Sequence, residues 1–580
     1  MARIGSCWTC RLRRKKCDQG RPACNTCSAL NLRCHYSTDR PDWMDGGEKQ
    51  DEMTRRFKAQ VKQGKERRRD RDYVQVLNMG NGAKLLTSPL PNANTADSAP
   101  NYKKESITQC NTSSDSEHHE SPDAAVDEIP AANTLKELDV DFTMLYVDHV
   151  FPFLFPFYAP PMIQGGRAWV LDILRNNQTL FQAVMSLSTY FLTLILSSED
   201  ISSYERCRQN SWNRLEGYAN AAIKSLQKEV LDINQQSPKA TLLMKSRAME
   251  SITQLMVLEM AMAKTCELNM HLSAAISLFE GILDHCKQDG STDLTRIMAE
   301  LERPSWASLN TQRPIWNTDQ AALRFFFAIL LRADIVSCTS LRTTPRLQKY
   351  HASLICHDYG GATTEPLLRM EEYVGCEGWV LVAIAETAAL DVWKREEQVN
   401  STLTAEDLTN RGCQIYRALE DGLREFEERC RKRQREPRSI LRSFYQSSDT
   451  NQAVKQATAT RIWAYAARIY LAVVTFGWQP HHPAIRESAA EVLHLLQQSE
   501  DPAMLRSSAW PFCIAGCVAD ASQEEEFRDL AAASGTLQSF GLVGESLRVL
   551  EHVWNRREEL TEEWNFAACF SIMGAPVLLL

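Results

Sequence analysis

Residues 7–34 read CWTCRLRRKKCDQGRPACNTCSALNLRC, and the six cysteines in this stretch constrain the chain more than any other feature. Cys7, Cys10 and Cys17 are spaced C-x2-C-x6-C, and Cys24, Cys27 and Cys34 repeat that spacing seventeen residues later, so the stretch is an internal duplication. Met1 is followed by no apolar signal-peptide core. That points to a reducing compartment, where paired C-x2-C means metal rather than disulfide. Zinc is the default metal. Two tetrahedral ions offer eight positions and six thiolates fill only six, so an all-cysteine shell needs two sulfurs that bridge both ions. The repeat suggests one bridge from each half. Six thiolates and two Zn²⁺ sum to minus two, which nearby cations offset, and metal binding is then the folding event. An iron-sulfur cluster, or a zinc module used only for protein contact, is the competing reading.

The motif resembles the fungal zinc binuclear cluster, C-x2-C-x6-C-x6-C-x2-C-x6-C, down to Asp18 after the third cysteine and Pro22 in the connecting loop. The resemblance implies two Zn²⁺ per chain held by Cys7, Cys10, Cys17, Cys24, Cys27 and Cys34. In that family the first and fourth cysteines bridge, which by motif position are Cys7 and Cys24.

The two halves are charged differently. After Cys10 come Arg11, Arg13, Arg14, Lys15 and Lys16; after Cys27 come Ser28, Ala29, Leu30, Asn31, Leu32 and Arg33. Only the first half reads as a polyanion-binding helix. A short helix with five cations, held by metal at both ends, suits a DNA major groove, with some side chains on phosphates and others on guanine O6 and N7. In the family the base contacts come from the third and fourth residues after the second cysteine, here Arg13 and Arg14, and the half-site resembles a CGG triplet. The fourth position is more often lysine there, so Arg14 is a departure. Arg11, Lys15, Lys16 and Arg21 complete the candidate DNA-contacting set.

A whole-chain charge of −8 hides this reader. Residues 1–75 hold nineteen Lys+Arg against ten Asp+Glu, a net of plus nine, which leaves minus seventeen on the other 505 residues. A basic reader is attached to an acidic body. The length of 580 residues suggests roughly four domain-sized units, and 44% apolar residues can bury a large core. The twelve cysteines outside the motif are scattered and read as small buried hydrophobes.

Residues 41–75 form a charged segment with Met53, Phe57 and Val61 on one helical stripe from about residue 48 to 72, too short for a coiled coil. Arg55 and Arg56, followed ten residues later by Arg67, Arg68 and Arg69, have the spacing of a bipartite nuclear import signal; a solvated basic helix tracking phosphates is compatible with it. Residues 76–137 are rich in Ser, Asn, Asp and Pro with hardly an aromatic, and read as a disordered linker. His118 and His119 lie in that polar tract without spaced partners and read as solvated.

From residue 138 to 580 the pattern is helical throughout, so the expected fold is a small metal-stabilised cluster domain plus a large all-α domain. Asn317 and Thr318 can cap DQAALRFFFAILLRADI, and ATRIWAYAARIYLAVVTFGWQP places Ile462, Tyr465, Ile469 and Val473 on one face before stopping at Gly477 and Pro480. Further periodic runs fall near 179–197, 204–231, 247–290, 375–396, 404–430, 485–498 and 542–562. The longest apolar helical run, AVMSLSTYFLTLIL, is fourteen residues, short of the eighteen or so that span a membrane. HVFPFLFPFYAPP, GGRAWVLDILRNNQTLFQAVMSLSTYF, WPFCIAGC and VLEHVW are similar to stretches of the fungal-specific transcription factor regulatory domain. In WPFCIAGC, Gly516 permits close helix approach, and Cys513 and Cys517 read as core rather than ligands.

Catalytic motifs are missing: there is no G-x-S-x-G, H-E-x-x-H or P-loop, and GNGAKL at Gly80 lacks the third glycine of a dinucleotide turn. His481 and His482 read as a solvated turn, and the basic run at 429–435 as a helix terminus. The expected protein is a non-enzymatic, sequence-specific regulator of RNA polymerase II transcription, located in the nucleus. Its expected partners are double-stranded DNA, the transcription machinery and a second copy of the chain as a homodimer, with no membrane. The rival is an interaction scaffold whose zinc module binds protein; the cationic reader argues against it, because such a module would expose apolar surface instead.

Overall fold

The structure is a computed structural model of the 580-residue chain. It describes residues 6–13, 15–19, 24–28, 32–35, 40–41, 43–47, 49–50, 52–57, 139–161, 165–198, 205–235, 241–264, 268–285, 287–288, 291–292, 294–301, 316–355, 368–435, 450–499, 501–559, 561 and 564–580. Arg14, Arg21, Val61, Arg67, Arg68, Arg69, His118, His119 and the whole of 76–137 lie outside them.

The N-terminal module has two short helices, α1 (Trp8–Leu12) and α2 (Asn25–Ser28), each entered from the first cysteine of a repeat. Its core is sulfur: Cys7, Cys10, Cys24 and Cys27 are buried together with Leu32 and Phe57, and Leu12, Cys17, Cys34 and Met53 pack against them. The Met53 and Phe57 stripe is therefore spent within the module. Trp43 makes an edge contact with Phe57, ring centroids 6.3 Å apart, and with His35 at 5.5 Å. Asp45 accepts from the Gly47 and Gln50 amides at 2.8 and 3.1 Å, at the start of the helical residues 49–50 and 52–57.

Among the described residues from 139 on, the body is built of helices and their connections, apart from a hairpin of two-residue strands, β1 (Lys287–Gln288) and β2 (Ser291–Thr292). Its main helices are α3 (Ala168–Asn176), α4 (Gln178–Ser198), α5 (Glu205–Gln235), α6 (Leu242–Ala261), α7 (Leu268–His285), α8 (Leu294–Glu300), α9 (Thr318–Leu341), α10 (Gly378–Asn400), α11 (Ala405–Arg435), α12 (Thr450–Phe476), α13 (Pro483–Gln497), α14 (Ala509–Cys517), α15 (Glu524–Ala532) and α16 (Val543–Asn555). At the centre is α9, which touches α3, α6, α7 and α10. Nineteen of its 24 residues are buried, as a helix enclosed on all sides requires. It starts at a capping box: Asn317 accepts from the Gln320 amide, and the Gln320 side chain accepts from the Asn317 amide, both at 3.0 Å. Phe325 at its midpoint collects Phe151, Phe155, Tyr158 and Trp169 at centroid distances of 4.8 to 5.6 Å, so the aromatic-proline entry docks on this helix.

Several close approaches depend on glycine, Gly375 and Gly516 among them. A Cβ on Gly375, whose φ is +86°, would overlap the Phe157 ring. One on Gly516 would lie 2.5 Å from Leu550 Cδ1, and Trp554 Nε1 donates to Gly516 O at 2.8 Å. The WPFCIAGC and VLEHVW stretches thus pack on each other as α14 and α16.

Three expectations change. The run 247–290 is two helices and a strand, because Ala263 takes a left-handed φ of +52° after α6. The face assigned to α12 is too narrow: Trp463, Ala466, Ala467 and Tyr470 are buried along with Ile462, Ile469 and Val473. Finally, Gln178–Ser197 is long and apolar enough to cross a membrane by length and composition, with a mean hydropathy of 1.6, because polar residues flanking the fourteen-residue run continue the helix. That surface is spent internally on α5 and α6, and 72% of it is buried. Its buried hydroxyls turn back on their own helix, Thr189 Oγ1 donating to Met185 O at 2.7 Å and Thr193 Oγ1 to Thr189 O at 2.8 Å.

Candidate metal centre and nucleic-acid interface

The duplication in sequence is a duplication of hydrogen bonds. The Cys10 amide donates to Cys7 Sγ at 3.3 Å and the Cys27 amide to Cys24 Sγ at 3.4 Å. The Cys7 amide donates to Cys17 Sγ and the Cys24 amide to Cys34 Sγ, each at 3.5 Å. Thr9 Oγ1 donates to Arg33 O at 2.9 Å and Thr26 Oγ1 to Lys16 O at 3.1 Å, so each half is latched to the backbone just before the other half's last cysteine. The Thr9 hydroxyl also accepts from the His35 amide at 3.2 Å. These threonines were legible as the repeated T of CWTC and CNTC, yet their role escapes spacing arguments about cysteine alone. Asp18, which the sequence marks only as part of the motif, accepts from the Asn25 and Thr26 amides at 3.0 and 3.4 Å and so caps α2.

The sulfurs form two groups whose atoms all lie within 4.8 Å of one another: Cys7, Cys10, Cys17 and Cys24, and Cys7, Cys24, Cys27 and Cys34. Cys7 and Cys24 belong to both. Zinc bound at about 2.3 Å to four tetrahedral sulfurs separates them by about 3.8 Å. The separations Cys7–Cys24 at 3.8 Å, Cys7–Cys27 at 3.7 Å and Cys10–Cys24 at 3.6 Å match that edge. The donor set therefore fits a pair of tetrahedra sharing the Cys7–Cys24 edge. Burial pushes the Cys7 and Cys27 thiols well above the usual range and Cys10 up to about 11, while at Cys24 burial is outweighed by hydrogen bonds from the Cys27 amide and neighbouring thiols, which hold it below that range, so ionising all of them together requires the counter-charge a divalent cation supplies. Four amides already point at thiolate positions, which orients and stabilises the ligands.

The cations are arranged differently from the expected five-cation helix. Only Arg11 lies within α1; the helix stops at Leu12, Arg13 is its C-cap, and the Lys15 amide closes the end on Cys10 O at 3.0 Å. The chain must leave the helix there for Cys17 to return to the sulfur core. Cations at a helix C-terminus also complement its dipole. Arg11 stacks over Trp8 at 4.8 Å and donates to Ser6 Oγ at 3.3 Å. Lys15 and Lys16 are exposed, whereas Arg13 is half-buried with one Nη atom sunk and without a partner.

The corresponding closure in the second half is made by Leu32, whose amide donates to Cys27 O at 3.0 Å and whose side chain is buried against Phe57. One bond serves both halves. Lysine in the first keeps it wet and cationic, and leucine in the second commits it to packing.

Elsewhere the alternatives raised by sequence lose ground. The two sulfur sets are the only groups among the described residues that could hold a metal. Cys513 and Cys517 are buried in α14, Cys517 next to Cys569. His481 is 84% exposed, but His482 stacks on Phe476 at 5.2 Å. Arg429 pairs with Glu377.

Residues 5–43 match the family described as "Fungal Zn(2)-Cys(6) binuclear cluster domain", and residues 142–580 match "Fungal specific transcription factor domain". The chain belongs to the fungal Zn(2)-Cys(6) transcription factor family. Transcription factor dibT of Pestalotiopsis microspora is similar at 33% identity over 99% of this chain and 98% of its own length. The pestheic acid cluster transcriptional regulator 3 of Pestalotiopsis fici is 26% identical over 97% of this chain and 96% of its own. A trichothecene biosynthesis transcription regulator of Trichoderma arundinaceum is 27% identical over 77% of this chain and 98% of its own. No solved structure matches this Zn(2)-Cys(6) transcription factor.

Proposed function

We propose that this chain is a nuclear, non-enzymatic regulator that reads CGG-like DNA half-sites through its N-terminal module and controls RNA polymerase II transcription of a secondary-metabolite gene cluster. One observation carries the reading: Cys7 and Cys24 belong to both four-sulfur sets, which ties α1 and the basic turn after it to a centre for two Zn²⁺. The zinc supplies positive charge and tetrahedral direction when bound. The protein holds it through six thiolates and presents Arg11, Arg13, Lys15 and Lys16 as a cationic edge, and Arg14 and Arg21 complete the proposed DNA-contacting set by sequence. The metabolite role rests on relatives named for the pestheic acid cluster and for trichothecene biosynthesis. Residues 1–40 are the DNA-reading domain, 41–75 a basic segment whose arginines at 55, 56 and 67–69 serve nuclear import, 76–137 a linker and 138–580 the regulatory body that meets the transcription machinery and, as a homodimer, a second copy.

The test is binding of full-length protein to a CGG-containing duplex and a scrambled one across a salt series. Arg13→Ala or Arg14→Ala should remove about 1 to 3 kcal/mol of discrimination. Lys15→Ala or Lys16→Ala should weaken both duplexes alike and lower the salt slope by about one unit. Equal weakening by all four leaves only an electrostatic clamp, and no DNA binding by the zinc-loaded protein returns the module to the scaffold reading.

A further inference from the structure

Four elements distant in sequence line an open cavity of about 560 Å³ in the body: the C-terminal ends of α9 and α12, the C-terminal half of α10, and the segment Trp564–Ala567. Small-molecule sites run to about 300–1,000 Å³, so this space is of ligand size. Three cations, Arg342, Lys394 and Arg395, face a single carboxylate, Asp391.

The charge balance leaves one cation over. Asp391 accepts both bonds of the Arg342 fork, at 3.1 and 3.0 Å, and is neutralised by it. The C-termini of α9 and α12 bring partial negative charge. Lys394, whose Nζ donates to Val474 O at 2.7 Å, offsets these. Arg395 donates to Arg342 O at 3.0 Å, one of the five donors a guanidinium carries, and makes no ion pair among the described residues. Burial also lowers the pKa of Lys394, so its ammonium gains from any anion brought alongside.

The other walls are aromatic. Phe476 stands half exposed at 50%, with one face stacked on His482, and Trp564 is half-buried in the same lining.

We infer that this cavity binds a small aromatic organic anion, its acid group on Arg395 and Lys394 and its ring against Phe476 and Trp564. Such a ligand ties α9, α10, α12 and the C-terminal segment together and stabilises the body by mass action. The inference stands apart from DNA reading, since it concerns only the body.

The experiment is titration calorimetry of the full chain with 1-naphthoate and with neutral 1-naphthamide. The acid should bind saturably and at least tenfold tighter than the amide, a difference of about 1.4 kcal/mol. Arg395→Gln should abolish that preference. Gln398→Glu, at an exposed α10 position on the cavity rim, should weaken the acid several-fold while leaving the melting temperature of the free protein unchanged. Equal binding of acid and amide, no saturable binding of the acid up to about 10 mM, or wild-type affinity in both variants would overturn the inference.

Discussion

Cys7 and Cys24 lie 3.8 Å apart and are the two sulfurs shared by both four-thiolate sets. A shared ligand and a private one should therefore fail differently. Cys24→Ser should remove both ions and unfold the N-terminal module, whereas Cys34→Ser touches one set and should retain about one ion per chain. Structural zinc supplies on the order of 10 kcal/mol or more, beyond what so small a core can replace. Elemental analysis checks the stoichiometry, and a persisting body transition in calorimetry shows that the damage is local. A wild-type content of one zinc, or an iron chromophore, contradicts the paired centre.

Thr9 and Thr26 latch the two halves by equivalent bonds. Thr9→Val and Thr26→Val keep the side-chain shape and remove two bonds and one bond respectively, at a cost of about 0.5–1.5 kcal/mol for each bond. Both should hasten zinc release to a chelator, Thr9→Val the more. If neither changes the release rate, the latches do not hold the cluster closed.

Two glycines in the body should respond with opposite signs. Gly375→Ala forces a side chain into the Phe157 ring at a φ of +86°, and should cost about 1–3 kcal/mol. Gly217 is exposed within α5 with nothing within 4 Å of an added Cβ, so Gly217→Ala should stabilise by about 0.5–1 kcal/mol. Thermal melts of the two variants measure the pair, and shifts of the same sign would contradict the packing.

Glu250 gives the body a pH dependence. Burial pushes its carboxyl up to about 7 from an ordinary 4.5, with Asp319 and Glu229 adding to the shift and the Ser246 hydroxyl, at 2.8 Å, and Arg247 opposing it. Between those values the folded state holds a proton that the unfolded chain has released. Stability from this group is complete below about 4.5 and is lost as pH rises through about 7. Glu250→Gln should remove that loss, raising stability at pH 8 by about 1–3 kcal/mol and leaving it little changed near pH 4.5. Denaturant melts at the two pH values decide it; an equal effect at both contradicts a protonated native carboxyl.

Some of this was legible because it is local. Cysteine spacing counts ligands, and tetrahedral valence then demands two bridges, whatever the rest of the chain does. The capping residues at Asn317 and the stop at Gly477 follow from backbone groups that must be satisfied within a turn. The charge difference between the halves is likewise written in the residues, Lys15 in one and Leu32 in the other.

Other features needed tertiary structure, because they depend on which surfaces meet. Met53 and Phe57 show a stripe, but only the fold places it on the cysteine core. The basic run after Cys10 satisfies helical propensity, yet the return of Cys17 to the sulfurs ends the helix at Leu12. Arg342 caps α9 while Lys394 and Arg395 lie in α10, 36 residues separate Leu341 from Gly378, and nothing in their spacing announces a shared cavity with Trp564. Period and spacing specify what a segment does to its neighbours a few residues away; burial and convergence arise only when distant segments compete for the same space.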